Sequence, residues 1–261
     1  MFIDSHCHLD RVDLTGYTDF NQMIQATKQA NVKQMLCVCI DLESYPDMLS
    51  LVEGDPDIDV SVGVHPTAEV SSEPDINTLV DLAIHEKNVA IGETGLDYFY
   101  GKETGLSVQR ERFVVHIEAA KQAEKPLIIH TRQARDDTVN LLTDHQADTV
   151  GGVLHCFTED WATAKAGLDL NFYVSFSGII TFKNASDLRD VVKKVPMDRL
   201  LIETDSPYLA PVPHRGKGNQ PRYVCHVAEQ VAKLKGLSVE EVAMQTADNY
   251  WRLFGNGKTR D

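Results

Sequence analysis

The chain has 261 residues, enough for one large domain or two small ones with a substantial core. Its 25 Lys+Arg against 39 Asp+Glu leave a formal net charge of −14, which excludes broad electrostatic wrapping of a polyanion and requires any phosphate to be held locally. No apolar stretch approaches the ~18–20 residues that span a bilayer, and no basic segment leads into an apolar one at the start, so no membrane contact and a cytoplasmic location are expected.

Apolar strand-like runs alternate with amphipathic stretches from one end to the other. Strands are predicted near 1–5, 34–40, 58–64, 89–93, 126–130, 150–155, 171–175 and 199–204. Between them, helices are predicted near 19–30, 43–53, 75–86, 107–124, 134–145, 159–168 and 184–194. In the second strand Cys37 and Cys39 alternate, so both face one side as small buried hydrophobes. The five cysteines are odd in number and lack zinc-ribbon spacing, which reads as reduced thiols. In the fourth helix Val108, Val115, Ala119 and Ala123 keep helical spacing, and Pro126 stops the helix before the next strand. After the eighth strand a loop from Ser206 to Gln220 is rich in Pro, Gly and basic residues, and helices follow near 221–235 and 238–248. Eight β units with intervening helices imply a parallel sheet, and eight is the number that closes a barrel. The expected fold is a single (β/α)8 TIM barrel over residues 1–261, with C-terminal helices at about 221–254 packed on it. An open doubly wound sheet is the alternative.

Six side chains that bind divalent metals follow these strands: His6, His8, Glu93, His130, His155 and Asp205. They fall at the ends of strands one, four, five, six and eight, and barrel active sites lie at the carboxyl ends of strands. His6 and His8 are two apart, so both imidazoles leave one face of the strand while Cys7 points the other way. Glu93 follows Gly92, which lets the backbone approach closely. Six ligands exceed the needs of one tetrahedral ion and suit two ions sharing a carboxylate, the arrangement of a metal-dependent hydrolase. The expected grouping is His6, His8 and Asp205 on one ion and His130 and His155 on the other, with Glu93 between. Asp205 is the candidate to orient the attacking water or take its proton. Glu203, two residues earlier on the same face, is either a support for the ligands or a core carboxylate.

Around these residues the motifs His6-Cys7-His8-Leu9-Asp10, Gly63-Val64-His65-Pro66, Gly92-Glu93-Thr94-Gly95-Leu96-Asp97-Tyr98, Leu154-His155-Cys156-Phe157-Thr158 and Glu203-Thr204-Asp205-Ser206-Pro207-Tyr208-Leu209 run in order. This series resembles the TatD family of metal-dependent deoxyribonucleases over nearly the whole chain, and keeping His6 and His8 makes it more similar to the YcfH-like branch. The resemblance implies a TIM-barrel metallohydrolase that cuts DNA phosphodiesters, as an exonuclease on single strands or strand ends, with no obligate protein partner. Matched residue by residue, His6, His8, Glu93, His130, His155 and Asp205 correspond to the family's metal ligands. One departure is Gln133, where the family usually has Asp.

Substrate contacts are expected from donors around the mouth. Arg132, two beyond His130, suits a forked contact to phosphate. Arg215 and Lys217, in the glycine-containing segment from His214 to Asn219, offer charge on a flexible loop. His65, after the third strand, either meets a phosphate oxygen or leaving group or caps the Pro66 turn. Tyr98, Phe99 and Tyr100 are candidates to stack a nucleobase or to pack in the core. His85, His116, His145 and His226 fall in helical stretches and carry no assigned chemistry. The required ions are divalent: zinc, manganese or nickel by the imidazole content, or magnesium as a phosphodiesterase cofactor. Competing readings are an amidohydrolase of small cyclic amides or esters, a hydrolase of the ester bond on charged tRNA, and a metal-binding barrel without activity.

Overall fold

The computed structural model describes residues 1–101 and 105–255. The strands are β1 (Phe2–Cys7), β2 (Val32–Cys37), β3 (Ile58–Val62), β4 (Asn88–Asp97), β5 (Leu127–Arg132), β6 (Gly152–Leu154), β7 (Phe172–Phe176) and β8 (Leu200–Ile202). They pair in parallel and in chain order, forming a nearly closed barrel. Helices α1 (Phe20–Gln29), α2 (Tyr45–Val52), α3 (Ile76–Ala83), α4 (Leu106–Ala123), α5 (Arg135–Asp144), α6 (Trp161–Asp169) and α7 (Ser186–Lys194) alternate with them. Two more, α8 (Val224–Lys235) and α9 (Val239–Phe254), follow the last strand. The eight β units therefore fold as the barrel that their pattern predicts, and the open sheet is excluded. Among the described residues, no helix is long and apolar enough to cross a membrane.

Alternation along each strand separates two apolar cores. Met35, Cys37, Val60, Val62, Ile129 and Val174 point outward and meet the helices. Ile3, Leu36, Val38, Ala90, Ile128, Val153, Tyr173 and Leu201 point inward and fill the barrel, and Ala247, Tyr250 and Phe254 of α9 pack with them. Tyr250, fully buried, donates its hydroxyl to Asp59 Oδ2 at 2.7 Å. That packing explains why α9 runs to Phe254, past the predicted end at 248: its last turn carries apolar residues that the barrel needs.

The seam between β8 and β1 is closed mainly beyond the short β8. Asp205 N donates to His6 O at 3.0 Å and His8 N to Ser206 O at 2.8 Å. Deeper in, the buried Asp4 carboxylate accepts from Thr204 N at 2.8 Å and from Thr204 Oγ1 at 2.5 Å, and Ser5 Oγ donates to Ile202 O at 2.9 Å. A carboxylate thus takes the place of missing ladder bonds. Burial pushes the Asp4 carboxyl well above its ordinary value, against the pull of the Thr204 donors.

Strand β4 extends four residues past its predicted end at 93, and glycine is the reason. Glu93 N donates to Cys39 O at 2.9 Å, reaching past the end of β3. Gly63 permits this, since a Cβ there would lie 2.6 Å from Gly92 C. At Gly92 (φ +145°) a Cβ would lie 2.6 Å from Ile128 O. Both positions exclude a side chain, so the β4 backbone moves inward and carries Glu93 toward the axis.

Candidate metal centre

The inward-facing residues at the carboxyl ends of the strands converge on Glu93, which is 3% exposed. His155 Nε2 lies 2.7 Å and His130 Nδ1 3.2 Å from its Oε1, with His65 Nε2 at 3.3 Å from the same oxygen. His6 Nε2 is 3.3 Å and His8 Nε2 3.8 Å from Oε2. Asp205 Oδ1 completes the group, 3.4 Å from His8 Nε2 and 3.8 Å from His6 Nε2. All six residues singled out as ligands therefore meet in one place. Among the described residues, ligand atoms fall within 4.8 Å of one another in three overlapping sets: His6, His8 and Glu93; His65, Glu93 and His130; and His6, His155 and Glu203.

The donor set fits divalent cations on its own chemistry. His8 Nδ1 lies 3.0 Å from Val38 O, and His155 Nδ1 lies 3.3 Å from Glu203 Oε1. Each contact holds the proton on Nδ1 and turns the lone pair of Nε2 inward, which is how supporting groups orient metal-binding imidazoles. His6 is 1% exposed and stacks on His155 at 3.9 Å, yet neither of its ring nitrogens has a hydrogen-bond partner. A buried imidazole without a partner costs about 1–3 kcal/mol, which a bound cation at Nε2 would offset.

The charges agree. Burial acts to raise the Glu93 carboxyl, but His155, His65 and His130 outweigh it and hold it well below its ordinary value. Asp205 is likewise raised by burial and lowered more by His8 and His6, so it stays a carboxylate.

Four neighbours complete the picture. His65 was expected at the substrate or the Pro66 turn, and its ring meets Glu93, while Nδ1 contacts Thr67 Oγ1 at 2.8 Å. Glu203, fully buried, is tied to His155, and its Oε2 has no partner. Asp97 was not singled out, yet its Oδ2 lies 3.0 Å from His130 Nε2. Burial raises its carboxyl, but His130 and the Tyr100 and Phe99 N–H groups bring it down to about 2. Its signal was available, because Glu93, Gly95 and Asp97 alternate onto one face of an extended strand. Asp4 was also missed, although it shares the parity of His6 and His8.

Glu93, Asp97, Asp205 and the rings of His8, His65, His130 and His155 line a cavity of about 600 Å³ at the barrel mouth, with Arg132, Thr158, Ile179, Tyr100 and Tyr208 on its walls. The Arg132 guanidinium sits 4.4 Å from the Phe99 ring and 4.5 Å from the Tyr100 ring, and both rings are partly exposed. Tyr98 instead donates to Asp137 and takes no part in the wall. Arg215 and Lys217 do not line the cavity. Their loop is fixed by bonds from His214 N to Pro211 O, Asn219 N to Pro207 O and Val212 N to Thr181 Oγ1, so it is more tied than its glycines suggested. Gln133 is exposed, and its backbone N–H donates to Glu159 Oε1.

His116 and two neighbours on α4 act at one remove. The buried face of α4 is Gln109, Arg112, Phe113, His116, Ile117, Ala119 and Ala120, shifted from the predicted stripe and partly polar. Val64 N donates to His116 Nε2 at 2.9 Å, and His116 Nδ1 lies 2.8 Å from Arg112 O. Arg112 donates to the carbonyls of His65, Pro66 and Ala68 and to both oxygens of Glu73. Gln109 accepts from Asp97 N and donates to Gly101 O. One helix thus anchors the loops that carry His65 and Asp97.

A parallel eight-stranded barrel with a histidine–carboxylate cluster at its carboxyl mouth defines a metal-dependent hydrolase. Comparison with known proteins narrows this class. The family model for TatD related DNase matches residues 3–255, and the chain belongs to the TatD family. It is 50% identical over 254 residues to the uncharacterized metal-dependent hydrolase YcfH of Escherichia coli (strain K12), covering 97% of this chain and 95% of that protein. YabD of Bacillus subtilis (strain 168), also an uncharacterized metal-dependent hydrolase, is 42% identical over 255 residues, covering 97% and 99%. The crystal structure of the TatD homolog YjjV from Escherichia coli K12 superposes with a TM-score of 0.89 at 29% identity, covering 97% of this chain and 98% of that one.

Proposed function

We propose that this hydrolase cleaves phosphodiester bonds of DNA, acting on single strands or strand ends. The observation that carries the reading is Arg132, which lines the same cavity as the candidate metal-binding residues and packs against Phe99 and Tyr100. A guanidinium packed against two rings is already ordered, so it presents its donors to a phosphate without losing much rotamer freedom. The cavity's size suits a terminal nucleotide, and the partly exposed ring of Tyr208 faces it from the β8 loop. The family description, a TatD related DNase, points the same way.

His6, His8 and Asp205 would hold one divalent ion and His130 and His155 a second, with Glu93 shared. When bound, the ions supply Lewis acidity to a phosphoryl oxygen and to water. The chain's own residues do the rest. Arg132 binds and orients the phosphate. Asp205, a carboxylate facing the cavity, receives the proton of the attacking water on its second oxygen. His65 Nε2, turned toward Glu93 at the cavity wall, lies where it can meet the phosphate or the departing oxygen.

The test is a metal-screened assay on single-stranded DNA, duplex DNA, bis(p-nitrophenyl) phosphate and dihydroorotate. Hydrolysis of the phosphodiesters, with a KM for DNA raised about tenfold or more in Arg132→Ala at unchanged metal content, is expected. Turnover of dihydroorotate alone, indifferent to Arg132, would refute the proposal in favour of a small-amide hydrolase.

A further inference from the structure

The β8 loop and its neighbours carry a second group of cations and rings, outside the cavity. His214 stacks on Tyr223 with ring centres 3.8 Å apart and planes 9° from parallel, and His226 lies 5.2 Å from His214. The Arg222 guanidinium sits 5.2 Å from the Tyr223 ring and 5.8 Å from the Tyr17 ring, and its Nε has no hydrogen-bond partner. Arg215 lies 4.1 Å over Phe182. Lys217 extends beside them, exposed like Arg215. In a chain of net charge −14, three cations interleaved with five aromatic or imidazole rings are a local reversal of character.

Its place in the fold gives this patch a direction. Tyr17 follows β1, Phe182 follows β7, and the remainder lie in the segment after β8 and, for His226, in the first turn of α8, so all stand at the carboxyl ends of the strands. That is the face that opens the metal centre. The scaffold is continuous with the cavity wall: Asn219 Nδ2 donates to Tyr208 O at 2.6 Å, and Tyr17 Oη donates to Gln220 Oε1 at 2.6 Å. Arg132 with Phe99 and Tyr100 stands on the β4 and β5 side of the mouth. Of the carboxylates nearest in sequence, Asp19 is engaged on the N-terminus of α1, and Glu229 pairs with His226 at the edge of the patch, away from Arg215 and Lys217 in the sequence.

We propose that this patch is an outer platform for single-stranded DNA, holding the strand that leads away from the nucleotide in the cavity. The proposal rests on the phosphodiesterase reading for the identity of that strand. Alternating rings and cations suit a flexible single strand, since bases stack on the rings without regard to sequence while arginine and lysine follow the backbone. A rigid duplex has no unstacked bases to offer. The platform therefore predicts affinity that grows with strand length, although the cavity itself is sized for one terminal unit.

The experiment measures binding of labelled phosphorothioate oligothymidylates, of about three and about twelve nucleotides, to the metal-loaded protein by fluorescence anisotropy. Two variants are compared with the wild type: Tyr223→Leu, and Arg215→Ser with Lys217→Ser on exposed positions that leave the fold untouched. Wild-type protein is expected to bind the longer strand about tenfold tighter than the shorter, and each variant to lose most of that difference. Hydrolysis of bis(p-nitrophenyl) phosphate, which needs the cavity alone, should stay unchanged. Equal affinity for both lengths, or no loss in either variant, overturns the platform. Competition by oligoglutamate as strong as by the oligonucleotide overturns it too, because charge without base stacking would then account for binding. Absence of phosphodiester hydrolysis in the wild type would count against the activity, while the length dependence would still decide the platform.

Discussion

Arg112→Met tests how the α4 helix holds the metal centre's rim. Arg112 is 3% exposed, and its guanidinium donates to His65 O at 2.6 Å, Ala68 O at 3.1 Å and Pro66 O at 3.3 Å, besides forking onto Glu73 at 2.6 and 2.7 Å. Methionine fills much of the same volume but has no donor. The Glu73 pair contributes little to the balance, about 0–1 kcal/mol, because Glu73 is half exposed and solvent replaces its partner. The His65 and Ala68 carbonyls are the larger loss, at about 1.5–3 kcal/mol for a charged donor to the first and somewhat less for the second. Removing a buried charge offsets part of this. We expect a net destabilisation of about 2–4 kcal/mol, read as a lower urea midpoint at unchanged slope. His65 should shift by a few tenths of an ångström or more, and kcat for bis(p-nitrophenyl) phosphate should fall about 10- to 100-fold, with KM less affected. Arg112→Lys should recover some stability but little activity, since one ammonium cannot serve three carbonyls and a carboxylate. A loss of stability under about 1 kcal/mol with full activity would show that the His65 loop holds itself.

Glu93→Ala should abolish turnover and lose more than one equivalent of metal by elemental analysis, because one carboxylate serves both ligand groups; two ions retained would remove Glu93 from that role. Chelation of the wild type should inactivate it while leaving its circular dichroism and most of its unfolding midpoint in place, since two apolar cores hold the barrel without the ions. Burial holds the His116 imidazole down to about 4. The unfolded chain therefore takes up a proton there from about pH 6.5 downward, and the folded chain only near 4, so stability falls across that window by about 3 kcal/mol from this group and is level above it. His116→Gln should remove that component from urea titrations run at pH 7.5 and pH 5. Finally, log Kd for an oligonucleotide of about three residues, which reaches the cavity alone, against log salt should give a shallow slope, on the order of one to three phosphate contacts, whereas a slope like that of a basic repressor would contradict local binding by a chain of charge −14.

The barrel and its six converging histidines and carboxylates were legible because both rest on period and position. Short apolar runs bounded by turns mark strands buried on both faces, and a ligand at the end of each run lands at the mouth once the number of strands is known. What stayed hidden rests on pairing between distant residues. The buried face of α4 reads as solvent-facing, since Gln109, Arg112 and His116 are polar, and their partners at Asp97, His65 and Val64 lie in other loops. Asp4 lies inside the predicted first strand, and nothing in the sequence ties it to its partner across the seam, Thr204. That Arg215 stands outside the cavity was hidden for a related reason. Charge and glycine show that a loop is available to a phosphate, but the bonds that tie this one to Thr181 and Pro207 decide which way it faces.

The seam also explains why so much of the chemistry sits between the first and last strands. In the other seven pairings the barrel is held by ladder bonds that would form whatever the side chains at the mouth. Between β8 and β1 the closing bonds run from the backbone of His6 and His8 to that of Asp205 and Ser206. Closure of the barrel and assembly of the His6, His8 and Asp205 group are therefore the same event, and neither strand alone presents more than part of it. Asp4 supports this from below, where its carboxylate fixes Thr204 and so sets the height of Asp205 against the two imidazoles. A cation held by those three side chains would draw β1 and β8 together at the one place where backbone pairing is thinnest, so metal binding and barrel closure reinforce each other.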